Sequence, residues 1–239
     1  MNSRNLPLHN ESAQEAQVSG SYIPPMGPLV QQFGDFQFCY ATPLSNDGWS
    51  TAGVSGGANG TFTNVDTTQL PTTDVNGNPA TFLPMGSLAT TDTTTAGSGF
   101  LCLLVDDEIV VPSIGGGWTQ VWNTADVSGG ANGYYYEAQA PDGYLALGGI
   151  FSGASPCNYT VACVRMDHLV SLASVALWST AGISGGANLT LVQDQGPVLI
   201  PGEGSTEYLI PSSSFLSQGA AGAGYLLRVI VPTNSASQG

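Results

Sequence analysis

Short stretches of the chain repeat one kind of side chain at every second position. They are T-F-T-N-V from Thr61, Y-Y-Y-E-A from Tyr134 and L-T-L-V-Q from Leu189. A period of two belongs to the extended chain, whose successive side chains point to opposite faces. Each is followed by two more apolar stretches. The first set is F-L-P-M-G-S-L-A from Phe82, Y-L-A-L-G-G-I-F from Tyr144 and L-I-P-S-S-S-F-L from Leu209. The second is F-L-C-L-L-V from Phe100, Y-T-V-A-C-V from Tyr159 and Y-L-L-R-V-I from Tyr225. No segment keeps a helical period over a useful length, so the pattern predicts an all-β protein.

The pattern is also a repeat. W-S-T-A-G-V-S-G-G-A-N from Trp49 returns as W-N-T-A-D-V-S-G-G-A-N from Trp122 and W-S-T-A-G-I-S-G-G-A-N from Trp178. Each unit reads as a tryptophan strand, a Gly-Gly turn, an alternating strand, an apolar strand, a Gly/Ser-rich turn and a last apolar strand. Four strands in each of three units predict a β-prism: three four-stranded sheets related by an internal pseudo-threefold repeat. A single unit could not bury its own apolar face. Units of this length are too long for a trefoil, and a propeller usually has four or more blades. The first unit is lengthened by T-T-Q-L-P-T-T-D-V-N-G-N-P-A, an insertion with an Asn-Gly turn signal at Asn76. The expected organisation is a flexible arm over 1–34, a prism over 35–232 with repeats at about 36–112, 113–172 and 173–232, and a polar tail over 233–239.

The repeated motif admits two readings. In the first, the glycines and Asn59, Asn132 and Asn188 make turns or bulges, and the three tryptophans are core residues. In the second, each copy is a glycan site, with an aromatic face for the sugar and an amide beside it. That reading names Trp49, Asn59, Trp122, Asn132, Tyr134, Tyr136, Trp178 and Asn188 as glycan-binding candidates. Tyr134 and Tyr136 share one strand face and Tyr135 takes the other, so the three sites should be unequal.

Composition narrows the partners. The chain of 239 residues has 17 acids against three bases and a net charge of −14. That balance disfavours nucleic acid, whose phosphates are met by Lys and Arg, and anionic lipid for the same reason. Glycans or other neutral cell-surface and lipid components are the expected partners. Enzyme chemistry lacks material: there are two histidines, His9 in the arm and His168 beside Asp167, which reads as a surface turn pair. Neither a catalytic residue nor a cofactor is expected. The acid run Asp106, Asp107 and Glu108 is the weak candidate for a metal such as Ca²⁺, although consecutive acids at a strand end are commonly just solvated. Four cysteines are too few and scattered for a disulfide scaffold. Cys102 and Cys163 read as buried small hydrophobes, and a Cys157–Cys163 bridge across a hairpin is a candidate. The leading residues lack the apolar core of a signal peptide, and no apolar run approaches the roughly 20 residues of a spanning helix. The composition suits an extracellular or surface-exposed protein without fixing a compartment.

The W-S-x-x-G-x-S-G-A pattern, with P-D-G-Y-L-A-L-G-G-I from Pro141, resembles the vacuolar-protein-sorting sixty-two-like family of plants and fungi. The likeness runs over about residues 36–232, and Thr51, Thr124 and Thr180 stand where that family has an acid. The resemblance implies a β-prism similar to modules beside multivesicular-body sorting proteins and at the end of some perforin-like toxins. It implies recognition of membranes or surface glycans, not catalysis. The leading expectation is therefore a non-enzymatic, lectin-like module. The alternatives are the targeting subunit of a pore-forming or insecticidal toxin, working with a pore-forming partner, and a capsid, fibre or coat subunit. The proline-rich arm would lace the last into a homo-oligomer.

Overall fold

Each alternating or apolar stretch is a strand in the computed structural model. It describes residues 30–41, 43–53, 59–90, 100–124, 132–153, 159–172, 174–180, 190–194, 198–202, 205–211, 216–217 and 224–232. Most of the arm, most of the three S-G-G-A-N turns and the tail lie outside the described residues. The first unit contains β1 (Gln31–Phe33), β2 (Phe36–Ala41), β3 (Pro43–Ser50), β4 (Thr61–Val65), β5 (Phe82–Pro84), β6 (Leu88–Thr90) and β7 (Phe100–Leu104). The second contains β8 (Val110–Pro112), β9 (Trp118–Asn123), β10 (Tyr134–Ala138), β11 (Tyr144–Ala146), β12 (Gly149–Ser152) and β13 (Ala162–Arg165). The third contains β14 (Leu169–Leu172), β15 (Ser174–Ser179), β16 (Thr190–Asp194), β17 (Val198–Gly202), β18 (Ser205–Pro211), β19 (Leu216–Ser217) and β20 (Gly224–Pro232). The protein is all-β, and the paired strands are antiparallel.

The three units share one core topology, to which β1 adds an edge strand in the first and β17 one in the third. In the first, β7 lies between β2 and β5 while β4 lies between β3 and β6. In the second, β13 lies between β8 and β11 while β10 lies between β9 and β12. In the third, β20 lies between β14 and β18 while β16 lies between β15 and β19. Each unit thus has two long, interrupted strands, with one strand slotted between them at each end. The expected four-stranded sheet is therefore divided into two hydrogen-bonded sheets per unit. The division falls where the long strands turn a corner, as at Met85-Gly86-Ser87 and at Leu147-Gly148. Unit boundaries move as well. β8 pairs within the second unit and β14 within the third, ahead of the expected starts at 113 and 173. Boundaries keyed to the tryptophan motif miss the first half of each leading strand.

The interior explains why the alternation is imperfect. Phe62, Thr63, Asn64 and Val65 are all buried, so β4 is covered on both faces. Asn64 is tolerated there because its amide donates to the Phe151 carbonyl at 2.8 Å and its oxygen accepts from the Ser87 hydroxyl. Ser87 in turn accepts the Phe151 N–H at 3.0 Å and donates its own N–H to the Gly149 carbonyl at 2.8 Å. These bonds fasten the first unit to the second and satisfy the buried side chains of Asn64 and Ser87. Gly86 and Gly148, which align in the repeat, meet at this seam. A Cβ on Gly86 would lie 3.0 Å from the Gly148 Cα, and its φ of +151° is one that side chains disfavour. A second cluster, of Phe36, Met85, Leu103, Val110, Leu147, Ala162 and Val164, joins the same two units.

Candidate functional site

The three tryptophans converge. Trp49, Trp122 and Trp178 are 5%, 2% and 5% exposed and form one core cluster with Phe62, Tyr135, Phe151 and Leu191. Their ring centroids are 5.3, 6.0 and 6.2 Å apart, with interplanar angles of 66°, 74° and 77°. Trp49 is stacked on Phe62 and on Phe151. Aromatic pairs of this kind add about 0.5–1.5 kcal/mol each beyond simple burial.

Backbone irregularity aims them there. The pairing of β9 with β10 skips Val121, that of β15 with β16 skips Leu177, and that of β3 with β4 shifts between Pro43 and Gly48. A bulge bends its strand and re-aims the next side chain. Here each tryptophan is placed opposite a core partner: Phe62, Tyr135 or Leu191. At Gly48 the φ is +120° and a Cβ would fall 2.0 Å from the Phe62 carbonyl oxygen, so this position needs glycine.

In the first two units the residue two places after the tryptophan closes the base of the turn. Thr51 donates its N–H to the Gly60 carbonyl at 3.0 Å and its hydroxyl accepts the Gly60 N–H at 3.0 Å. Thr124 and Gly133 repeat both bonds, at 3.0 and 3.1 Å. Thr180 is likewise buried. Threonine at Thr51 and Thr124 therefore has a clamping role that was not foreseen. The signal was available, since all three copies agree on it. The glycines after the asparagines also matter. A Cβ on Gly133 would lie 2.3 Å from Trp49 Cδ1, and one on Gly60 would lie 3.2 Å from Trp178 Cδ1.

This packing corrects the glycan reading for the three tryptophans and for Tyr136. A sugar needs an open ring face, and those of Trp49, Trp122 and Trp178 are covered. Tyr136 is 4% exposed, leaving Tyr134, stacked on it at 6.2 Å, as the half-buried member of the pair. Asn59 and Asn132 are exposed at the turn bases, and Asn188 lies outside the described residues.

The acid run is a turn. One carboxylate oxygen of Asp106 accepts the N–H groups of Glu108, Ile109 and Val110 at 2.9, 2.7 and 2.8 Å. Glu108 faces Arg165 at 3.7 Å. One oxygen of the metal candidate Asp106 is thus taken by the backbone, and no metal-ligating cluster of three occurs among the described residues. Arg165 donates to Asp167 at 2.7 Å and holds that carboxyl below its ordinary range. It also meets His168 Nε2 at 2.9 Å. A guanidinium can only donate, so Nε2 is the accepting nitrogen and the proton of the neutral ring sits on Nδ1. The pair Asp167–His168 is the surface turn expected of it, in the 3-10 turn Met166–His168. Cys163 is a free, buried thiol, and burial pushes it up to about 12. Its proposed partner Cys157 lies outside the described residues.

A cleft of about 680 Å³ opens where the insertion meets the ends of β5, β7 and β8. The insertion folds as a hairpin. Asp74 accepts the N–H groups of Asn76 and Asn78, each at 2.8 Å, and Gly77 has the φ of +84° that the Asn-Gly signal called for. The Val75 N–H bonds Gln37 at 3.0 Å, holding the hairpin to β2. Leu83, Leu104, Pro79 and Pro112 give the cleft apolar lining. Thr72, Thr81 and Thr160 add hydroxyls, and Asp74 and Asp107 add carboxylates. Hydrogen bonds to Asn78 and Asn76 hold the Asp74 carboxyl below its ordinary range, so it is an acceptor at neutral pH. Asp107 has a φ of +62°, a conformation Asp tolerates better than most residues. No residue of this cleft except Asp107 was a sequence candidate, because a cleft gathers residues far apart in the chain.

The fold defines an all-β protein of three topologically equivalent units. No family model matches the chain, and no curated protein matches it. Among solved structures, the crystal structure of GNIP1Aa from Chromobacterium piscinae is similar, with a TM-score of 0.48 and 18% identity. The likeness covers 74% of this chain and 32% of that one, so the chain spans about a third of that protein's length.

Proposed function

We propose that the chain is a non-enzymatic recognition module, a β-prism of three repeats whose first unit carries a cleft for a neutral glycan. The carrying observation is the cleft, with hydroxyls and carboxylates set around an apolar lining. A sugar offers the complementary surface: C–H faces for leucine and proline, and hydroxyls for carboxylate acceptors. The net charge of −14 disfavours an anionic ligand. Support for the prism comes from the near-equal tryptophan separations. It also comes from two like contacts between units, in which Gly133 of the second unit lies under Trp49 of the first and Gly60 of the first under Trp178 of the third. Kinship with the vacuolar-protein-sorting sixty-two-like family, which the repeat resembles, is part of the same proposal. The non-enzymatic reading is supported by the engagement of Asp106 and His168 in turns.

The test is a glycan array probed with the full chain and with Asp107→Asn. Asparagine tolerates the same backbone conformation, so the fold is kept while a charged acceptor is lost. Neutral glycans should bind the wild type, and the variant should bind them about tenfold more weakly or worse, with unchanged melting. A blank array for the wild-type chain, or equal binding by the variant, overturns the reading.

A further inference from the structure

Cys39 and Cys102 are far apart in sequence, and neither was assigned a partner by the sequence. In the fold they are directly opposed on antiparallel β2 and β7, in a register that runs from Phe38–Leu103 to Ala41–Phe100. Both are fully buried, in one apolar cluster with Ala41, Val65 and Phe82. Their side chains therefore leave the same face of the sheet and enter the same small volume. Opposed residues on antiparallel strands have Cα atoms about 4.5 or about 5.5 Å apart, according to the kind of pair. Both values fall within the roughly 4.4–6.8 Å that a disulfide accepts. β-Sheet geometry thus supplies the approach without any movement of the backbone.

We propose that Cys39 and Cys102 are a disulfide-forming pair that cross-links β2 to β7 when the chain meets a low-molecular-weight disulfide such as oxidised glutathione. One thiolate attacks the glutathione disulfide and releases glutathione thiol. The second thiolate then attacks the mixed disulfide and releases another. Two S–H bonds are lost and one protein S–S bond forms, with both electrons and both protons carried off on two molecules of glutathione. Contact with Cys39 and then burial push the Cys102 thiol well above its ordinary value. The thiolate is the attacking form, so closure is slow once the sheet has formed and fast while the chain folds.

The link would close a loop spanning β3 to β6, the insertion included. It would therefore tie the tryptophan strand and the cleft of the first unit to one staple. A loop of that length should raise the Tm on the order of 10 °C.

The full chain is refolded in a glutathione disulfide/glutathione buffer and, separately, under reducing conditions. Unreacted thiols are alkylated after denaturation, and the products are mapped by mass spectrometry. A peptide pair joined through Cys39 and Cys102, absent from the reduced sample and accompanied by a higher Tm, supports the proposal. Alkylation of both residues after oxidative refolding overturns it, as does glutathione retained on either one or a link made only between Cys157 and Cys163. Cys39→Ser and Cys102→Ser should each abolish the oxidative rise in Tm. The peptide map decides the matter on the wild-type chain even where a variant folds poorly.

Discussion

The tryptophan cluster and the cleft beside the insertion are built from opposite kinds of residue. The cluster uses what the three units share, the tryptophan, the bulge before it and the threonine two places on, together with the glycine that follows the turn in the first two units. The cleft uses what they do not share, namely the insertion between β4 and β5 of the first unit and the ends of three strands. In a repeat, a residue recurs wherever each copy must meet the others in the same way, and those meetings lie in the interior. A departure from the repeat is free of that requirement and lies at the surface, where a ligand can reach it. The recurring motif therefore reports on packing, and the insertion is the better place to look for recognition.

The strongest test of this contrast is Trp122→Ala. Removing a buried tryptophan from among Trp49, Trp178 and Phe151 should cost about 3–5 kcal/mol, because the surrounding rings cannot fully collapse onto the space. Thermal melting followed by circular dichroism should fall by roughly 6–20 °C. If the melting temperature stays put, the tryptophan is not a core residue and the motif returns as a binding candidate.

Gly133→Ala asks the same of the glycine under Trp49. Its Cβ would lie 2.3 Å from Trp49 Cδ1, forcing the indole or the turn to shift at a cost of about 1–3 kcal/mol. Gly115 is the control, since a Cβ there meets nothing within 4 Å. Gly115→Ala should be neutral or stabilise by up to about 1 kcal/mol. Chemical denaturation midpoints that move alike for the two variants would contradict the close-packed interface.

The all-β class and the repeat were legible because period-two patterning and recurrence are local properties of the string. The Asn-Gly turn at Asn76 was legible for the same reason. The division of each sheet was not: Met85-Gly86-Ser87 reads as a turn, and that it ends one hydrogen-bonded sheet and begins another is decided by partners far along the chain. Burial on both faces of β4 was hidden likewise, since Asn64 looks like a solvent residue until Phe151 and Ser87 arrive to satisfy it. The motif offered a sugar face and a core equally well, because an aromatic beside glycines suits both. Only the convergence of three copies on one cluster separates them. Cys39 and Cys102 carry no sequence signal of their pairing, which depends wholly on strand register.

The finest test lies in the threonine clamps, where one chemical change can be made at two burials and once at the cleft. Thr51→Val keeps the shape of the side chain but removes the acceptor for the Gly60 N–H. Thr51 is 5% exposed and Gly60 is buried, so water cannot replace the lost bond and the cost should be about 1–3 kcal/mol. Thr124→Val breaks the matching bond to Gly133, which is also buried, but Thr124 itself is half-buried, so water entering from the threonine side limits the cost and the loss should be smaller. Thr72→Val, on the exposed wall of the cleft, should change stability by no more than about 0.5 kcal/mol. Denaturation midpoints falling in the order Thr51, Thr124, Thr72 would mean that the shared threonines act through buried backbone. Equal effects at all three would remove the distinction between a packing end and a recognition end.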